Sequence, residues 1–208
     1  MLSVSEKQFE NFLLQENNFD SSHDLAHIKR VVTSAKKICE NEKADYEIVV
    51  TAAWLHDCVV LPKNHPDRKS SSKLAAKKAV DFLSETTFPK IKLKSVHHAI
   101  EAHSFSAGVT PETPEAKIVQ DADRLDALGA IGIARCFMVG GQLDRPLYDP
   151  DDPFCEFRKP DDSEWTLDHF YQKLFKLTKF LNTGSAKKEA EERIRFMKRF
   201  LDQLRSEV

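Results

Sequence analysis

Apolar residues recur along this chain at intervals of three and four, the repeat of an amphipathic α-helix. No alternating stretch long enough for a strand interrupts them. Residues 3–15 make a short amphipathic start. Leu25, Ile28, Val32, Ala35 and Cys39 then form one stripe of a helix running to about residue 40, with Ser21 or Ser22 as its N-cap. Asp45 caps the next helix, to about residue 56. It is apolar on most sides, so it is expected to be central and buried. Ser70, Ser71 and Ser72 open a helix to about residue 85, and 90–103 is a further helical stretch. Thr113, Pro114 and Glu115 supply an N-cap, a proline at the first helical position and an acid in the first turn. The helix they start is expected to run to about residue 139, with a break near Gly129. Residues 140–162, GGQLDRPLYDPDDPFCEFRKPDD, read as a long loop or lid. Its Tyr148, Phe154 and Phe157 are candidates for closing over a ligand. Two long helices, 164–181 and 185–206, end the chain, the last with Ala190, Ile194, Met197, Leu201 and Leu204 in one stripe. The expected fold class is all-α, a helical bundle forming one domain over residues 1–208.

Composition narrows the function. Of 208 residues 41% are hydrophobic, enough for a sizeable core, so disorder is not expected. Lys and Arg number 31 against 33 Asp and Glu, and this near balance gives no support for a non-specific nucleic-acid or membrane binder. The cysteines at 39, 58, 136 and 155 are scattered without a C-x-x-C, which excludes a zinc ribbon and fits free thiols in a reducing compartment. There is no signal-peptide pattern at the start and no apolar run of membrane-spanning length. A soluble cytoplasmic protein, monomer or homodimer, is expected.

The helix at 46–56 ends in His56-Asp57, two polar groups that are costly to bury without a partner. A divalent metal ion would neutralise the carboxylate and take up the imidazole lone pair. Further ligand candidates lie in SHDLAHIKRV, with His23, Asp24 and His27, and in QDADRLDALGA, with Asp121, Asp123 and Asp126. Each alone is weak, since a helix histidine is more often a hydrogen-bonded core residue, and Asp121 and Asp126 could be solvated or bridged to Arg124. One His, then His-Asp closing a buried helix, then an Asp in a later helix is a stronger combination. Two imidazoles and two carboxylates suit a six-coordinate ion with positions left for water and a phosphate oxygen.

The order His27, His56-Asp57, Asp123 resembles the signature of the HD-domain metal-dependent phosphohydrolase superfamily. The segments HPDRKSSSKLAA, AIEAHSFSAG, EAKIVQDADRLDALGAIGIAR and TGSAKKEAEERIRFMKRFL are similar to its short bacterial branch of YedJ/YpgQ type. The resemblance covers about residues 22–201. It implies an all-α HD-type domain, one divalent ion on His27, His56, Asp57 and Asp123, and hydrolysis of phosphate anhydride or ester bonds in nucleotides. Manganese is the first choice, with Co, Ni, Fe, Mg or Zn as alternatives.

One departure from relatives bears on mechanism. Several HD nucleotidases and alarmone hydrolases carry an acid three residues after His-Asp, and this chain has Cys58-Val59-Val60-Leu61 there. Replacement groups lie nearby. Lys63, Arg68, His103 and Asp126 are the candidate catalytic residues. Lys63, His65, Arg68 and Arg124 are the candidate substrate-binding residues. His103 is read as a proton donor to the leaving group or a phosphate contact. His98 and His103, five residues apart, are poorly spaced for a second ion. His169 and the C-terminal phenylalanines Phe170, Phe175, Phe180, Phe196 and Phe200 are read as structural.

Overall fold

A computed structural model of the chain describes residues 2–16, 24–61 and 65–208, and the elements among them are all helical, as the periodicity predicts. His23, Ser21, Ser22 and Lys63 lie outside the described residues. The chain sorts into two compact units: Met1–Asp123 with Asn182–Ala186, and Arg124–Leu181 with Lys187–Val208.

The first unit holds α1 (Glu6–Glu16), α2 (Leu25–Cys39), α3 (Tyr46–Leu55), α4 (Ser71–Ser84), α5 (Leu93–Glu101) and nearly all of α6 (Pro114–Leu125). Every residue of α3 from Ile48 to Leu55 is buried. Helix α3 packs against α2, α5, α1 and α4, so it is the central helix its composition predicts. Asp45 caps it, accepting from the amides of Glu47 and Ile48. The cap of α2 is Asp24, not Ser21 or Ser22: its carboxylate accepts from the His27 amide at 2.7 Å. A carboxylate at the first turn also favours the helix dipole, which explains why Asp24 serves here. The stretch 90–103 divides into a 3-10 turn, Lys90–Lys92, and α5, which ends before His103.

Helix α6 is pinned through Asp121. This carboxylate is fully buried and accepts from the backbone amides of Asn182 and Thr183 and from both their side chains. The expectation of a solvated or Arg124-bridged Asp121 is thereby corrected. A carboxyl group is tolerated in the core when this many donors replace its water.

In the second unit α6 gives way to α7 (Gly129–Gln142) at Gly129, whose φ of 74° places it in the left-handed region. The expected break is therefore real. Gly140 is required by close approach, since a Cβ there would stand 2.3 Å from Thr166 Oγ1. The irregular segment that follows is tied to itself. Arg158 donates from both terminal nitrogens to Asp168 and pairs with Asp149, while Asp152 accepts from the amides of Glu156, Phe157 and Arg158. Phe154 is buried, which removes it as a substrate-closing aromatic, whereas Phe157 is exposed. The long helix expected at 164–181 is instead α8 (Asp168–Gln172) and a 3-10 stretch, Leu174–Phe180. Lys173, at φ −129° and ψ −58°, separates them. Helix propensity does not explain the break, since FYQKLFKLTKF sets six good helix formers beside four aromatics and one β-branched residue. Phe170, Phe175 and Phe200 cluster with Phe137 as core, but Phe180 and Phe196 are exposed. Helix α9 (Gly184–Arg205) starts in the first unit and continues in the second. His169 packs its ring nitrogen Nδ1 against Asp162 at 2.6 Å, the structural role expected of it.

Candidate metal centre

Four side chains from three separate stretches of the first unit meet here. The N-cap bond of Asp24 sets the start of α2 and so places His27, three residues on. His56 is the C-cap of α3 and Asp57 follows it, so the end of the most buried helix delivers both. Asp123 comes from α6. Ligand atoms of His27, His56 and Asp57 all lie within 4.8 Å of one another. His27 Nε2 stands 3.7 Å from Asp57 Oδ2 and 3.5 Å from Asp123 Oδ1, and His56 Nε2 stands 3.4 Å from Asp57 Oδ2.

His103, just past α5, joins from the other side, its Nε2 3.4 Å from Asp57 Oδ1. The sequence placed His103 near the site but not against Asp57. In the buried turn after α5, His103 Nδ1 bonds Ile100 O at 2.6 Å.

Tautomers follow from the carbonyls. His56 Nδ1 lies 2.8 Å from Ala53 O, and a carbonyl only accepts, so Nδ1 carries the proton. The Nε2 lone pair of a neutral His56 then faces a carboxylate. This Nε2 is buried and has no hydrogen-bond partner. Lone pair against carboxylate is repulsive unless a cation sits between them. The separations suit an ion: two ligands each about 2.1 Å from one metal stand about 3–3.5 Å apart. The residues present therefore fit a divalent metal.

Charge in the cluster is mutual. If protons and not a metal ion supply the positive charge, burial pushes the Asp57 carboxyl up, but the protonated imidazoles of His56, His103 and His27 outweigh it and hold the group well below its usual range. Burial pushes His103 down, and the hydrogen bond and charge of Asp57 reverse this, raising it overall.

A cleft in the first unit opens onto these groups. Asp57, Asp123 and His103 line it, together with Val60, Arg68, Ser71 and Ser72 and the 3-10 turn with Ser104, Phe105 and Ser106. Arg68, predicted for substrate binding, is thus brought to the site. It also donates to Leu61 O through Nη1. Sequence inspection missed the four serines and Phe105, because hydroxyls and a lone exposed aromatic carry no motif. His65 does not line the cleft; its Nδ1 accepts from the Asp67 amide at 3.1 Å. His98 Nε2 accepts from the Glu112 amide at 3.0 Å, so that nitrogen is engaged within the protein. Arg124 and Asp126 belong to the second unit. There Arg124 donates to Phe180 O, and Asp126 is buried in an ion pair with Arg135.

The comparisons agree with this geometry. Residues 24–128 match the family model for the HD domain. YpgQ of Bacillus subtilis strain 168 is 38% identical over 192 residues, 90% of this chain and 85% of that protein. The crystal structure of B. subtilis YpgQ in complex with ADP superposes with a TM-score of 0.72 at 35% identity, covering 97% of this chain and 95% of the other. An HD-superfamily hydrolase from Bacillus thuringiensis gives 0.74 at 37% identity, covering 98% of each. With the matched segment spanning α2 to α6 and all four converging side chains, the chain belongs to the HD-domain family.

Proposed function

We propose that this protein is a metal-dependent phosphohydrolase acting on nucleotides, with one divalent ion on His27, His56, Asp57 and Asp123. The observation that carries the reading is the buried, unpartnered His56 Nε2 facing the Asp57 carboxylate. The ADP bound to B. subtilis YpgQ supports a nucleotide as the substrate class. An ion held here would make a nucleophile of its water near neutral pH and draw charge from a phosphoryl oxygen.

The protein's own groups complete the chemistry. Arg68 stabilises charge spread over the phosphoryl oxygens, and Lys63, a candidate from the sequence alone, would act in the same way. His103, 3.4 Å from Asp57, holds a proton at Nε2 within the cleft, where an oxygen leaving with the product can receive it. Water attacks one phosphorus, the bond from that phosphorus to the bridging oxygen breaks, and the remaining phosphates depart with their charge shared among cations. A nucleoside triphosphate would then release pyrophosphate. Manganese is the metal we favour. Arg124, His65 and Asp126 remain secondary candidates from the sequence, and the pairing of Asp126 with Arg135 favours a structural role for it.

A second reading, a nucleotide sensor that does not cleave, has one observation in its favour. Val60 lines the cleft at the position where several HD enzymes carry an acid. The deciding experiment strips the protein of metal, reloads it with Mn, Co, Ni, Fe, Mg or Zn, and screens phosphorylated metabolites, with Asp57→Ala as the blank. Turnover of triphosphates to pyrophosphate is expected, restored by manganese and absent from the blank. Orthophosphate alone from monophosphates would make it a phosphomonoesterase. Nucleotide binding without turnover would make it a sensor.

A further inference from the structure

Ser72, in the first turn of α4, is only 2% exposed, and its hydroxyl oxygen is buried without a hydrogen-bond partner. That is unusual for a helical hydroxyl, which can usually turn back to a carbonyl one turn earlier. Ser84, in the same helix, does so, donating to Val80 O at 2.8 Å. Ser72 instead lines the cleft that holds Asp57 and Asp123. A buried hydroxyl that has lost water and gained nothing is costly, so its retention beside a site calls for a ligand.

Its neighbours share that chemistry. Ser71 Oγ accepts from the Leu61 amide at 3.2 Å, which leaves its own hydrogen to donate. Arg68 lines the same cleft with a guanidinium that offers more N–H groups than the one bonded to Leu61 O. The cleft therefore divides by charge. Carboxylates and imidazoles gather at the metal centre, whereas a cation and hydroxyl donors gather at the start of α4.

We propose that the Ser72 hydroxyl, with Arg68, binds an oxygen of the phosphate next to the one under attack, and so selects substrates with a phosphoanhydride over monoesters. This rests on the phosphohydrolase reading. An anionic oxygen cannot approach Asp57 and Asp123 directly; of the other donors lining the cleft, Ser104 and Ser106 bond each other at 2.9 Å and His103 faces Asp57, which leaves the donors at the α4 start for it. A hydroxyl is apt because it donates without adding bulk, and the buried position keeps it dry.

The test uses the full chain with metal bound, pyrophosphate as the binding probe, and ATP and AMP as substrates. Ser72→Ala should keep its metal content and melt at the same temperature as wild type or higher, because it removes an unpaired buried group. Its affinity for pyrophosphate should fall about tenfold, and kcat/KM for ATP should fall about as much, with AMP kinetics nearly unchanged. Ser72→Thr, which keeps a hydroxyl, should recover affinity. Unchanged pyrophosphate affinity in Ser72→Ala, a failure of Ser72→Thr to recover it, or no pyrophosphate binding by wild type would overturn the proposal. If wild type hydrolyses no nucleotide yet Ser72→Ala still binds pyrophosphate more weakly, the phosphate site stands and the hydrolase reading falls.

Discussion

Asp57 turns two oxygens toward three imidazoles: Oδ2 faces His27 and His56, and Oδ1 faces His103. The metal-capable pair His56-Asp57 is legible in the sequence because a polar dipeptide ends an apolar helix, and burial without a partner is improbable. The cleft serines are not legible in that way, and His103 is legible as a candidate proton donor but not as a neighbour of Asp57. Their role depends on which way a turn after α5 points, and no spacing rule encodes that. Arg68 lies between these cases. It is a cation leading into a helix start, and it lines the cleft. Replacing Arg68 by Ala should lower kcat/KM about tenfold to a thousandfold if it meets transition-state charge, with metal content unchanged. Arg68→Lys should recover only part, since a point charge cannot both hold Leu61 O and reach a phosphate as a fork does. Wild-type kinetics in Arg68→Ala would make the residue a connector of residue 61 to α4 and nothing more.

Helices, and not single residues, decide whether the ligands converge. The caps at Asp24 and Asp45 fix where α2 and α3 begin, hence the rotation at which His27 and His56 emerge. Asp45 is legible as a cap, but Asp24 is not, because Ser21 and Ser22 just before it are equally good capping residues. The split of 164–181 was also illegible: periodicity shows which face is apolar, but not where the chain leaves helical geometry at Lys173. The first turn of α3 carries a second device. Glu47 accepts from the amide and hydroxyl of Ser3 and from Lys92, joining the segment before α1, α3 and the turn before α5. Burial raises its pKa, but these donors outweigh burial and hold it at about 2. A group depressed this way contributes its stabilisation above its unfolded value of 4.5, and that stabilisation is lost as pH falls from there toward about 2. With Lys92 partly exposed, water weakens the pair, and the contribution is about 1–2 kcal/mol at neutral pH. Glu47→Gln should therefore unfold in less urea at pH 7 but differ little from wild type at pH 2. An equal gap at both values would show that the carboxylate charge is not what stabilises.

At the scale of the molecule, the all-helical class was legible because helix periodicity persists over almost every segment, and the HD-family order of ligands follows the chain. The partition into two units was not, since α6 and α9 each cross from one unit to the other without a linker or a change of composition. The metal-capable side chains all belong to the first unit, carried on α2, α3 and α6. An ion bound there would join elements that the folded state alone brings together, so its binding energy adds to folding energy. With the free ion at a hundred times its dissociation constant, the gain is about 2.7 kcal/mol. For a chain of this size that corresponds to a rise in Tm of about 5–10 °C. The expected result is that chelated protein melts lower than protein reloaded with manganese by that margin, while Asp57→Ala melts at one temperature with or without the ion. A wild-type Tm indifferent to every divalent ion would mean that these four side chains bind no ion in the folded state, and a manganese-dependent rise retained in Asp57→Ala would place the ion elsewhere in the chain.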